Sequence, residues 1–174
     1  MTSRGVSSAR PLTPIGWLGA PMLLCVLATV LLGTPIRFFG LPLPEPVFPL
    51  ALAFAWALIR PSVLPPFALL ALGFFLDVFW GGAQGLWPLC LLAAYAFVMA
   101  ARRLINGQDL ITTLAWYAAA IAAGFAVGFA LMSMAAGAAP NLIALGWQYL
   151  ATLALFPFAW RLVERYEDAD VRFR

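Results

Sequence analysis

Apolar residues run along the chain in six stretches, 15–32, 47–59, 63–80, 86–100, 110–135 and 142–160, parted by short breaks of proline, glycine, arginine and small polar residues. A hydrocarbon layer of about 30 Å needs about 20 apolar residues at 1.5 Å per residue. The stretches therefore predict membrane-spanning helices, not the alternating pattern of half-buried strands. The breaks are chemically suited to ending helices. Between the first two stretches lie prolines at 35, 42, 44, 46 and 49, which remove donors and clash with the preceding turn, so an irregular or re-entrant loop is expected there. Arg60-Pro61 closes the second stretch, and Pro65 and Pro66 fall in the first turn of the third, where a helix tolerates them. Gly81-Gly82-Ala83-Gln84-Gly85 reads as a tight turn, Arg102-Arg103 ends the fourth run, and Asp109 and Asn141 are placed to cap the fifth and sixth. The expected fold is all-α: a single polytopic membrane domain over 1–174 with six spans and a charged tail at 161–174. The second stretch is the shortest, and if it does not cross, five spans remain.

Composition agrees. Of 174 residues 64% are hydrophobic and 10% charged, with mean hydropathy +0.96, which leaves little chain for a soluble domain. Arg4 and Arg10 precede the first run as in a signal peptide, but that run is long and further runs follow, so an uncleaved first span is expected. The arginines then set orientation, because cytoplasmic loops are enriched in basic residues. Six spans with both ends inside leave only Arg37 outside and nine arginines inside; five spans with the N-terminus outside give eight inside and two out. The C-terminus is cytoplasmic in both. Arginines beside spans, without a basic patch interleaved with aromatics, read as topology signals, and no nucleic-acid partner is expected. Histidine is absent, which removes the commonest general base and metal ligand, and Cys25 and Cys90 sit in apolar runs without companions at ligand spacing. No enzyme activity, cofactor or metal is expected.

One acidic residue breaks the third run. Asp77 shares a four-residue spacing with Gly73, Gly81 and Gly85, and Gly82 adjoins them. A carboxylate in hydrocarbon costs about 2.5–3.5 kcal/mol on insertion scales, so it faces protein or a wet cavity. Asp77 is expected to be a buried polar contact at a helix junction, paired with an arginine or with main-chain donors; the alternative is a span-end aspartate reaching the headgroups. Ala120, Gly124 and Gly128 form a second small-residue stripe, which serves packing within the chain or against a partner helix. Glu45, between Pro44 and Pro46, reads as a solvated loop charge with Arg37 near enough in sequence to pair. Trp80, Trp87, Trp147, Tyr149 and Trp160 near span ends read as interfacial belts.

The segment Gly73-Phe74-Phe75-Leu76-Asp77-Val78-Phe79-Trp80-Gly81-Gly82-Ala83-Gln84-Gly85-Leu86, a G-x-x-x-D helix followed by a glycine-rich turn and another span, resembles the bacterial rod shape-determining MreD family. The proline-rich loop upstream, the Arg60-Pro61 junction and the chain length fit the same resemblance. It implies an inner-membrane scaffold of the cell-elongation machinery, in contact with membrane lipid, with the bitopic partner MreC, with the RodA–PBP2 peptidoglycan synthase and, directly or indirectly, with the MreB filament. That family in turn is similar to the substrate-binding subunits of energy-coupling-factor transporters, which implies a second expectation, a vitamin-type small-molecule binding subunit. Such a subunit needs a polar midplane pocket, and beyond Asp77 the runs offer little besides Thr112, Thr113, Ser133, Gln148 and Thr152.

Overall fold

A computed structural model describes residues 15–33, 37–38, 41–42, 45–59, 62–105, 107–136 and 140–171. A π-helical turn, Ile15–Gly19, leads into α1 (Ala20–Leu32), followed by α2 (Phe48–Ile59), α3 (Leu64–Trp80), α4 (Leu86–Ile105), α5 (Leu110–Ala136), α6 (Leu142–Leu153) and α7 (Phe156–Val171). Within the proline-rich connection, Arg37–Phe38 and Leu41–Pro42 pair as a two-residue antiparallel hairpin. Every apolar run is helical, and the fold is otherwise all-α.

The helix ends follow the residues at the breaks. α3 stops because Gly81 adopts φ 65°, a left-handed conformation that costs glycine nothing, and the Gly82 N–H returns to the Asp77 carbonyl at 3.2 Å. Asn141 caps α6, its side chain accepting the N–H groups of Ile143 at 3.0 Å and Ala144 at 3.4 Å. Asp109 caps α5 through Thr112, whose hydroxyl and N–H hold its carboxyl below the ordinary carboxylate range.

Two elements depart from the run boundaries. α4 continues through Arg102 and Arg103 to Ile105. The run 142–160 is two helices, broken at Ala154 and Leu155, and the segment expected to be a tail from 161 is helical to Val171. Pro157 explains the break: it has no N–H for the Leu153 carbonyl and its ring crowds that carbonyl. The chain tightens instead, with Leu155 N–H on Thr152 O at 3.1 Å.

The short second run occupies the centre. α2 touches α1, α3, α4, α5, α6 and α7, and Leu50 through Ala57 are all at most 1% exposed. A helix that is apolar all round can lie in a core or face lipid; α2 is enclosed by its neighbours. Its 12 residues span only about 18 Å, well short of the bilayer core. Its ends are met by protein: Thr152 Oγ1 accepts the Val47 N–H at 3.1 Å, and Arg102 Nη2 donates to the Leu58 carbonyl at 3.0 Å. Terminal backbone groups that would be orphaned at that depth are thereby satisfied by α6 and α4.

The outside of the bundle is as apolar as its centre. Leu23 and Leu31 on α1, Phe67 and Val78 on α3, and Ile111 and Ile143 on α5 and α6 are all more than 60% exposed, a surface that water does not support and hydrocarbon does. Three helical stretches, Leu86–Ile105, Leu110–Ala135 and Leu142–Tyr166, are long and apolar enough to cross a membrane, and Gly16–Leu32, Phe48–Ile59 and Leu64–Trp80 are shorter apolar helices. The chain is a membrane protein.

Candidate functional site

Asp77 lies one turn before the end of α3 and is 3% exposed. Its Oδ2 accepts the Gly85 N–H at 2.6 Å and its Oδ1 accepts the Trp87 N–H at 3.0 Å. Both donors belong to the start of α4, where the first N–H groups of a helix lack partners within it and the helix dipole favours negative charge. The carboxylate thus caps α4 from a different helix. The loop can bring these groups together because Gly81 and Gly85 adopt φ 65° and 91°. Hydrogen bonds to a charged group contribute about 1.5–3 kcal/mol each, so two of them offset the roughly 2.5–3.5 kcal/mol insertion cost of the charge. Of the partners anticipated for Asp77, the main-chain donors are the ones present.

Gly73, one turn earlier on the same face, lets α4 approach. A Cβ added there would lie 2.5 Å from Pro88 Cα and closer still to the Pro88 nitrogen. The four-residue stripe therefore divides: Gly73 and Asp77 face the first turn of α4, while Gly81, Gly82 and Gly85 form the turn itself, with open space where a Cβ would point.

Trp80 completes the junction. Its indole N–H donates to Glu45 Oε2 at 2.7 Å and its ring lies 4.9 Å from that of Trp87. Glu45 is half-buried, and its place is corrected from a solvated loop charge to the acceptor that ties the proline-rich connection to α3. No family model, curated protein or solved structure matches the chain. Arg60 and Pro61 lie outside the described residues.

The α5 stripe faces inward. Ala120 is 1% exposed; a Cβ on Gly124 would sit 3.1 Å from both Cys90 O and a Leu50 methyl, and one on Gly128 3.0 Å from Cys90 Sγ. These small residues let α5 lie against α4 and α2. On its other side α5 forms an apolar groove of about 360 Å³ with α6, lined by Ala122, Phe125, Ala126, Phe129, Gly146 and Tyr149 among others. Among the described residues no three of His, Cys, Asp and Glu gather as a metal-binding group.

Sequence reasoning passed over the second polar node, at the α6–α7 break. Thr152 donates to Gln148 O at 2.7 Å while accepting from Val47, and Tyr117 donates to Thr152 O at 2.9 Å. Thr152 is fully buried, as is Tyr117. A threonine five residues before a proline in an apolar run is the signal that marks it, since the proline breaks the helix and a hydroxyl can bond main-chain groups beside the break.

Proposed function

We propose that the chain is a scaffold of the bacterial inner membrane, of the MreD kind, serving cell elongation and lateral peptidoglycan synthesis by packing its helices against an MreC-type bitopic protein and the RodA–PBP2 synthase, with MreB filaments reached directly or through them. In this reading all six apolar runs are spans and both termini are cytoplasmic, which places nine of the ten arginines inside.

The observation that carries the reading is the occupation of Asp77. The one carboxylate within an apolar run spends both oxygens on the backbone of the next helix. It braces architecture and is not presented to a solute. Thr29, Thr152 and Tyr117 likewise bond to main-chain groups of their own chain, and the α5–α6 groove is apolar. A vitamin-type binding subunit would instead aim polar groups into a pocket. The resemblance of the Gly73–Leu86 segment to the MreD hallmark supplies the cell-biological setting. Complementation tests it: expression in rod-shaped bacteria depleted of their own MreD-type protein is expected to restore rods. Persistent rounding, with the protein abundant in the membrane, would refute the proposal.

A further inference from the structure

We draw no further inference here: the strongest candidate, the apolar groove that Ala122, Phe125 and Phe129 of α5 form with Gly146 and Tyr149 of α6, is an unpartnered apolar face, and nothing in the structure shows what covers it.

Discussion

Replacing Asp77 with leucine removes the acceptor of two hydrogen bonds at once. The Gly85 and Trp87 N–H groups, now 2.6 and 3.0 Å from the carboxylate oxygens, would have no partner in a buried junction. At about 1.5–3 kcal/mol for each bond to a charged group the gross loss is about 3–6 kcal/mol. Relief from burying a charge returns roughly 2.5–3.5 kcal/mol, so mid-range values leave a net destabilisation on the order of 1–2 kcal/mol. Asparagine keeps one carbonyl oxygen and turns its amide toward the other donor, so it forfeits one bond and relieves the same charge; its cost is the smaller. For a chain of 174 residues, each kcal/mol shifts the midpoint by about 2–4 °C, which puts Asp77→Leu roughly 2–8 °C below wild type. Thermal unfolding in detergent, followed through the intrinsic tryptophans, measures both variants, and rod-shape complementation reads the functional consequence. Asp77→Leu melting with wild-type protein and supporting rods would refute the bracing argument.

Gly73→Ala is expected to destabilise by about 1–3 kcal/mol, because its methyl meets Pro88 backbone that has nowhere to yield. Gly82→Ala, with open space and no positive φ, should melt as wild type; the same thermal assay compares the two. Gly124→Leu should prevent accumulation in the membrane by forcing α5 away from Cys90 and Leu50, whereas Ala122→Leu, on an exposed position lining the α5–α6 groove, should accumulate normally by immunoblot. The Asp109 cap predicts a pH effect. Thr112 lowers the folded-state pKa of Asp109 below its unfolded value, so its stabilisation is present above the ordinary carboxylate range and is lost as pH falls through the folded value. The difference in melting temperature between wild type and Asp109→Ala should therefore be constant above about pH 5 and shrink below about pH 4; a difference that grows with acid would contradict the assignment.

The features legible from the chain were those written in local chemistry. Proline and glycine placement located the helix ends, Asn141 and Asp109 announced their caps, and Asp77 stood out because a carboxylate in an apolar run must find donors. The Gly81–Gly85 pair was visible as a turn, since only glycine takes φ 65° and 91° at no cost. What stayed hidden was which apolar surface meets protein and which meets lipid. Leucine is equally at home against either, so nothing in Phe48–Ile59 distinguished a central helix from a marginal one, and nothing in Ala120, Gly124 and Gly128 told an internal face from an external one. The ties between distant segments, Glu45 with Trp80, Val47 with Thr152 and Leu58 with Arg102, join residues that only the assembled bundle brings together. The break before Pro157 was accessible, but an unbroken hydropathy profile across 142–160 concealed it.

Co-purification from native membranes separates a scaffold from a solute-binding subunit. The tagged full chain, solubilised in mild detergent from rod-shaped bacteria in which it supports growth, is predicted to carry an MreC-type bitopic protein at near-equal amount, with Gly73→Ala and Asp77→Leu carrying less in proportion to their loss of folded protein. Recovery of the folded chain without that partner, while it retains a radiolabelled vitamin supplied to the membranes, would contradict the scaffold account.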